Sequence, residues 1–279
     1  MPKVRSNVGI YVDVANIAMN GGYGMQFDVL REFACHDEAE PVRLNAYVAF
    51  DPQRAGEDPA YWEGQRNFHS SLRDFGYKVI QKNVKRYTDS EGNTVTKANS
   101  DLDMAVDVLL QSEKLDRVIM LTGDGDFVQV VRALQNRGCR VELVAFDNVS
   151  SELRREVDVF ISGYLVPNLL PIKAANRGTA LAPWGEIGSR VRGVCYYHKG
   201  VEGYGFMRFL DHYNADLWIS DTRHKDSPYR TAYFHDTYFL DKPEPGEVPN
   251  RDVIFEFELI KSVRNDGLEA KNIKIVARP

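Results

Sequence analysis

The sequence predicts an α/β domain built on a doubly wound parallel sheet, with helices on both faces, followed by a small β-barrel. Three observations lead to this prediction. Short β-branched or aromatic runs alternate with amphipathic stretches up to about residue 165, as strands and helices do in such sheets. Residues 171–190 are rich in Ala, Gly and Pro, as linkers are. Short alternating segments from Val191 onward are typical of small barrels. We therefore expect a first domain over 5–167, a linker over 168–189 and a second domain over 190–279.

Five strands and four helices are predicted in the first domain. The strand runs are apolar on both faces, which suits buried parallel strands: Val8–Val12, Leu44–Phe50, Tyr77–Ile80, Arg117–Thr122 and Arg140–Phe146. The helices are predicted over Tyr61–Phe75, Leu102–Leu110, Phe127–Leu134 and Ser151–Val157. In the second of these helices, the apolar residues that share one face are Leu102, Ala105, Val106 and Leu109.

Six short strands are predicted in the second domain. They are Val191–Tyr197, Gly205–Phe209, Asp216–Ile219, Ala232–Phe234, Val253–Leu259 and Lys271–Val276. Clusters of Gly and Pro separate them and no long helical period is present, so a small barrel is expected.

Composition and charge exclude several classes of protein. The 279 residues are 43% hydrophobic and 27% charged, which excludes a disordered chain. The net charge of −5 is not that of a basic nucleic-acid-binding protein. The acid excess lies wholly in residues 1–170, with 25 acidic and 19 basic residues, against 15 and 16 in 171–279. Three distant cysteines and the lack of a bilayer-length apolar run lead us to expect a cytoplasmic protein.

Acidic residues follow two of the predicted strands and begin a predicted helix. Asp13 and Asn16 follow the first strand, Asp124 and Asp126 follow the strand Arg117–Thr122, and Asp101 and Asp103 start the helix over Leu102–Leu110. Because the carboxyl ends of parallel strands meet at one edge of the sheet, these side chains can converge. Each one alone could be a helix cap or a turn residue.

Carboxylates that converge repel each other and raise one another's pKa, unless a divalent cation offsets their charge. Such a cation can activate water and stabilise the charge that develops during attack on a phosphodiester. Asp13, Asp101, Asp124 and Asp126 are therefore our candidate metal ligands, with Asp103 as a fifth candidate. Asn16 could hold substrate or a metal-bound water, and Thr122 could orient an Asp. The chain has no P-loop motif, no GxSxG elbow and no HExxH zinc motif.

Basic and aromatic residues supply candidates for a nucleic-acid interface. The segment before the acidic helix carries Lys82, Lys85, Arg86 and Lys97, which could contact phosphates or simply form a polar hairpin. The second domain carries alternating aromatic residues near two cations, and any one of these rings could instead belong to the barrel core. Its candidates for base stacking and phosphate contact are Lys199, Tyr204, Phe206, Arg208, Phe234 and His235.

Three segments of the first domain together resemble a known family. VGIYVDVANI, KANSDLDMAVD and VIMLTGDGDFVQVVRALQNRGCRVELVAF look like the NYN domain, in the LabA-like branch of the PIN-like nuclease superfamily, over about residues 7–165. The resemblance implies a Rossmann-like fold and Mg²⁺- or Mn²⁺-dependent endoribonuclease chemistry. It also implies active-site acids at Asp13, Asp101, Asp124 and Asp126, with Asn16 and Asp103 nearby. The stretch ANSD departs from the family pattern, which usually has a Gly before this Asp.

The second domain resembles the cold-shock type of OB-fold over residues 190–277. EGYGFMRF and AYFHDTYF look like its two ribonucleoprotein-like motifs, and VIFEFEL and AKNIKIV follow in matching order. The connection over His212–Arg230 is longer than in that family. The resemblance implies that Phe206, Phe234, His235 and Tyr204 stack on bases.

Taken together, these features predict a metal-dependent endoribonuclease of single-stranded RNA, with Mg²⁺ or Mn²⁺ as cofactor and a C-terminal RNA-binding domain. A non-catalytic RNA-binding regulator and a nucleotide phosphatase are the alternatives. We expect no membrane partner, and a homo-oligomer is compatible with the sequence.

Overall fold

The chain divides into two compact units. The computed structural model describes residues 5–88, 94–97, 100–172, 182–214, 216–262 and 266–278, with the backbone alone described for 85–88 and 94–97. The first unit runs up to Tyr23 and continues over Phe27–Ile161, and the second contains Gly24–Gln26 and the chain from Ser162 onward.

The first unit is built on a six-stranded sheet. In chain order, its strands are β1 (Asn7–Asp13), β2 (Glu40–Phe50), β3 (Lys78–Asn83), β6 (Arg117–Leu121), β7 (Arg140–Ala145) and β8 (Val159–Ser162). Their order across the sheet is β3-β2-β1-β6-β7-β8, and β1 pairs in parallel with both β2 and β6. A separate antiparallel hairpin joins β4 (Lys85–Thr88) to β5 (Thr94–Lys97). All five predicted strands are confirmed, and β8 was not predicted.

Seven α-helices accompany this sheet in the described part of the first unit: α1 (Val14–Ile17), α2 (Phe27–Ala34), α3 (Pro52–Glu57), α4 (Pro59–Asp74), α5 (Asp101–Gln111), α6 (Val128–Asn136) and α7 (Ser151–Glu156). Four of them match the predicted helices within a few residues. The apolar core between the helices and the sheet contains Tyr11, Met104, Val108, Met120 and Val131.

The buried face of α5 differs from the apolar face that the sequence suggested. Met104 and Val108 are fully buried, but Leu102 is 61% exposed, Val106 46% and Leu110 71%. This difference arises because polar side chains hold the inner face of α5. Asp107 accepts a hydrogen bond from the Tyr47 hydroxyl, with 2.9 Å between the oxygens. Of the predicted apolar face, Ala105 and Leu109 pack against the core whereas Leu102 and Val106 are exposed, so the prediction is correct only in part.

The second unit is a closed five-stranded barrel. Its strands are β9 (Arg190–Lys199), β10 (Tyr204–Leu210), β11 (Tyr229–His235), β12 (Asn250–Lys261) and β13 (Leu268–Ala277), closed in the order β10-β11-β13-β12-β9. The predicted strand over Asp216–Ile219 is wrong, because this segment is a turn in which the Ile219 N–H donates to the Asp216 carbonyl at 2.8 Å.

The interior of the barrel is filled by inward-facing residues, which alternate with outward-facing residues along each strand. Along β10, Gly205, Met207 and Phe209 are buried, whereas the residues between them are partly exposed. Gly193 and Gly205 lie where strands pack so closely that a Cβ on either one would come within 2.4 Å of a carbonyl oxygen of the paired strand. The apolar interior is completed by Phe234, Phe255 and Phe257.

A buried carboxylate connects three cations on the barrel. Glu256 accepts from the Nε atoms of Arg190 and Arg192, each at 3.2 Å, and pairs with the Nζ of Lys274 at 3.0 Å. Arg192 also donates to the Leu170 carbonyl at 2.8 Å, which connects the segment before the barrel to β9. In the part of the chain that the structure describes, no helix is both long enough and apolar enough to cross a bilayer.

Candidate functional site

The central position of β1 brings two acidic segments to one edge of the sheet. Val12 on β1 is in register with Leu121, the last residue of β6. Asp13 therefore lies next to the start of the segment that follows Leu121, although the two are far apart in the sequence. This is the convergence at the carboxyl edge that the sequence predicted.

Asp13 is a buried carboxylate with two acidic neighbours. Its side chain is only 5% exposed, and its Oδ1 caps α1 by accepting the Asn16 N–H at 3.1 Å. Burial raises the pKa of Asp13 to about 6. A hydrogen bond with Asp101 and the charges of Asp101 and Asp124 add to this increase, while the Asn16 N–H opposes it. Asp13, Asp101 and Asp124 therefore form one electrostatic group.

A tight loop after β6 fixes the position of Asp124. The Asp124 N–H donates to the buried Thr122 Oγ1 at 3.2 Å, and Asp124 Oδ1 accepts the Asp126 N–H at 2.9 Å. Asn16 joins this loop to α1, because its Oδ1 accepts the Gly123 N–H at 2.8 Å. A Cβ on Gly123 would come within 3.0 Å of the Asn148 carbonyl oxygen, so the backbone must pass very close to its neighbour here.

The other two predicted ligands are placed differently. Asp126 is exposed, and Asp103 forms an ion pair with Lys82. Each side chain of this pair is more than a third exposed, so its contribution to stability is small. Lys82 therefore lies beside the acidic helix, as expected of a phosphate contact near the site, but it is already engaged by Asp103.

The donor chemistry of Asp13, Asp101 and Asp124 suits Mg²⁺ or Mn²⁺, which prefer carboxylate oxygens and retain waters in their remaining positions. Their mutual repulsion and the burial of Asp13 are what a cation would relieve. Among the described residues, however, no three His, Cys, Asp or Glu side chains are already arranged so as to hold an ion. A metal site at these three acids therefore stays a prediction.

A polar network beneath α5 was missed by the sequence analysis. Tyr47 donates to Asp107, and Gln111 Oε1 accepts from both the Tyr11 hydroxyl and the Asn45 amide, each at 3.2 Å. These contacts anchor the inner face of the helix that begins at Asp101. The alternation of Asn45 and Tyr47 on β2 was the signal that could have revealed them.

Three of the predicted phosphate contacts fall on side chains outside the described residues. Lys85, Arg86 and Lys97 have side chains outside the described residues; only their backbone positions in the β4–β5 hairpin are given. A polar hairpin was the simpler of the two interpretations of this segment, and the phosphate-contact role stays a prediction.

The barrel presents a continuous group of rings on its outer surface. Tyr204 stacks on Tyr233 at 5.9 Å between ring centroids, and Phe206 lies 5.9 Å from both Tyr197 and Tyr233. The Arg208 guanidinium lies over the Tyr196 ring at 5.8 Å. Tyr204, Phe206 and Arg208 therefore share one face, as expected from their alternation on β10.

The stacking role predicted for Phe234 is wrong. Its ring is fully buried and packs against Phe239 at 5.3 Å inside the barrel, so it has no face to offer a base. Phe234 pairs with the inward-facing Gly205. His235 is partly exposed, and its ring bonds to Thr237. Lys199 is paired with Glu202 at 2.5 Å.

A family model named NYN domain matches residues 7–170, which is the segment that contains Asp13, Asp101 and Asp124. The chain belongs to the NYN domain family. The low amplitude and bright protein LabA of Synechococcus elongatus is 30% identical to it over 164 residues, covering 56% of this chain and 83% of LabA. Membership in the NYN domain family indicates a nuclease-like or RNA-related function.

Two solved structures are similar to parts of the chain. A protein of unknown function from Vibrio parahaemolyticus is 25% identical, with a TM-score of 0.48, and the match covers 58% of this chain and 96% of that one. A structure titled Sa239 is 10% identical, with a TM-score of 0.30, over 62% of this chain and 66% of that one. The matched NYN domain ends at residue 170, before the first strand of the barrel begins at Arg190.

Residues that the sequence analysis missed also lie on the barrel, outside the NYN domain. Arg251 and the segment Ser220–Arg223 line the same groove as Phe206 and Arg208. No motif marks Arg251, because its place depends on how β12 pairs with β9. The long connection before β11 was the signal that an additional wall was present.

Proposed function

We propose that this protein is a divalent-metal-dependent endoribonuclease that acts on single-stranded RNA, and that its barrel binds the RNA. The observation that carries the proposal is the group formed by Asp13, Asp101 and Asp124, in which burial and like charges raise the pKa of Asp13 to about 6. Membership in the NYN domain family supports the nuclease-like part.

The acids have distinct roles in this proposal. Asp13, Asp101 and Asp124 would hold Mg²⁺ or Mn²⁺. When bound, the ion lowers the pKa of a water molecule and stabilises negative charge on the phosphodiester. Asn16 and Thr122 keep the loop that carries Asp124 in place. The exposed Asp126 lies at the open side of this loop, where it would orient the attacking water, and Asp103 with Lys82 lies beside the path of the RNA.

The barrel supplies the affinity that an acidic first unit lacks. Rings stack on bases without regard to sequence, and nearby cations contact phosphates. A chain that carries both units raises the effective concentration of bound RNA near the acids. We place this activity in the cytoplasm, in keeping with the widely separated cysteines, none of which is in a disulfide among the described residues.

Cleavage of a circular single-stranded RNA tests the proposal, because a circle has no end for an exonuclease. We expect linear product in Mn²⁺ or Mg²⁺, none in EDTA, and a loss of at least about a hundredfold in Asp124→Asn. Asp116→Asn is the matched control, since Asp116 accepts the Asn7 N–H at the opposite end of the sheet. Cleavage in EDTA, or full cleavage by Asp124→Asn, would contradict the proposal.

One observation favours a second candidate, a non-catalytic RNA-binding regulator. Among the residues whose positions are described, no group of three metal-ligating side chains is preassembled. In this case, Asp13 and Asp101 would share a proton and hold the edge of the sheet together. Tight RNA binding, with no cleavage in either metal and no thermal stabilisation by Mn²⁺, would establish this alternative over the nuclease.

A further inference from the structure

A groove of about 540 Å³ lies on the outer face of the barrel. One side is formed by the rings of Tyr196, Tyr197, Tyr204 and Phe206, and the other by Ser220–Arg223 from the connection between β10 and β11. Arg208 and Arg251 also line it. Its volume is within the range of sites that take small ligands.

The connection that forms the second wall is fixed to the barrel. The Ser220 carbonyl accepts from Arg208 Nη1 at 3.1 Å, and Thr222 Oγ1 is hydrogen-bonded to Thr231 Oγ1 at 2.8 Å. The Tyr229 hydroxyl donates to the Leu217 carbonyl at 2.9 Å. The wall is therefore held by strand residues on either side of the connection, and the groove exists before a ligand arrives.

Two of the three arginines in the groove form no ion pair among the described residues. Arg223 is neutralised by Asp221 through two contacts, 2.9 Å from Nε to Oδ1 and 2.7 Å from Nη2 to Oδ2. Neither Arg208 nor Arg251 forms an ion pair within the described ranges, and their positive charges are close enough to repel. Arg208 is half-buried between the Tyr196 and Tyr229 rings. An anion between these two guanidiniums would relieve the repulsion.

We propose that the groove binds one nucleotide of a single-stranded RNA, with its base against Phe206 and Tyr197 and its phosphate between Arg208 and Arg251. Rings and unpaired guanidiniums on one site match a ligand that is both aromatic and anionic. The second wall limits the groove to about one nucleotide, so the strand must enter and leave at its open ends. The inference rests on the RNA-binding part of the proposed function and is independent of cleavage.

The test measures binding of a fluorescent single-stranded 10-nucleotide RNA in EDTA, in an Asp124→Asn background. Phe206→Leu, which keeps apolar bulk but removes the ring, is expected to weaken binding at least about fivefold. Arg251→Gln is expected to weaken it to a similar degree and to reduce the slope of log affinity against log salt by about 0.7. Phe206→Leu should leave that slope unchanged, because a ring makes no phosphate contact.

Lys261→Gln is the matched control, since it removes one positive charge from an exposed part of the same barrel. If the RNA still binds and neither Arg251→Gln nor Phe206→Leu changes its affinity, the assignment of the groove as the nucleotide site is overturned, but the proposed function is left intact. No RNA binding by any form would overturn the proposed function itself. AMP is the second probe: if it binds as tightly as the RNA and responds to both variants, the site takes free nucleotides and the assignment to a strand is wrong.

Discussion

Asp13 is a buried carboxylate whose ionisation lowers the stability of the folded protein. Its raised pKa means that the folded protein binds a proton that the unfolded chain releases, between pH 3.8 and about pH 6. The stability contributed by this proton is fully present below pH 3.8 and is lost as the pH rises through 6. At neutral pH, the metal-free protein therefore carries a destabilising charge at this position.

Asp13→Asn is expected to raise the free energy of unfolding of the metal-free protein at pH 8 by roughly 2–3 kcal/mol, and by much less at pH 4. Asn keeps an oxygen that can cap α1, so the Asn16 N–H retains its partner. Urea unfolding in EDTA at both pH values measures the difference. Stabilisation of the protein by Mn²⁺ should be lost in the same variant, and a variant less stable than the parent at pH 8 would disprove this account.

The residues of the candidate site could be predicted to different extents. Asp13 and Asp124 were identifiable because strand ends are easy to locate and parallel strands share an edge. Phe234 was misjudged because alternation shows that neighbouring residues face opposite ways, but not which of the two faces inward. Phe234 faces inward because it pairs with the inward-facing Gly205. That pairing depends on the length of the connection between β10 and β11, which no local sequence rule predicts.

At the scale of elements, α5 combines buried apolar residues with polar contacts on its inner face, and its exposed face is apolar. Its position matters because the helix begins with Asp101. The apolar period of a helix reports the buried face only when packing is apolar, and here Tyr47 and Asp107 replace part of that packing. The existence and bounds of α5 followed from the sequence, but its orientation did not.

Tyr47→Phe removes the donor to Asp107 and is expected to lower the free energy of unfolding by about 1–3 kcal/mol. We also expect weaker Mn²⁺ binding, because the helix that carries Asp101 loses an anchor. Tyr77→Phe is the matched control: it removes a buried hydroxyl that donates to the Phe27 carbonyl at 3.0 Å, far along the chain from α5. Calorimetric titration with Mn²⁺ should separate the two variants, and equal Mn²⁺ affinities would refute the anchoring role.

Glu256→Gln tests the buried ionic cluster of the barrel. Arg190, Arg192 and Lys274 would then share no carboxylate, and the loss of one partner of a buried ion pair costs about 3–5 kcal/mol. Glu258→Gln is the control on the same strand, because within the described part of the chain Glu258 accepts from the exposed Asn272 amide alone, at 2.8 Å. Guanidinium unfolding followed by circular dichroism should show a large shift for the first variant and almost none for the second.

At the scale of the whole molecule, a net charge of −5 coexists with a local cationic groove. Binding that depends on two unpaired arginines should respond only moderately to salt. We expect log affinity for single-stranded RNA to fall with log salt with a slope of about −1.4. Fluorescence anisotropy across a series of KCl concentrations measures it. A slope of about −4 or steeper would indicate a much wider basic surface than the groove.

The change in hydrophobic pattern near residue 167 predicts two domains, because parallel strands and barrel strands differ in length and alternation. The structure assigns Ser162 onward to the second unit. The contact of Arg192 with the Leu170 carbonyl lies within that unit. Such a contact joins residues that share no local pattern, so the sequence alone could not reveal it.

The order of strands in the sheet also sets when the acidic group can form during synthesis. Asn16 and Gly123, which join its two segments, lie 107 residues apart. At about 5–20 residues per second, the ribosome makes Asp13 roughly 5–20 s before its partners. During that interval β1 has no β6 to pair with, and the emerging chain lacks the Asp124 loop. The acidic group therefore cannot assemble until most of the first unit has been synthesised.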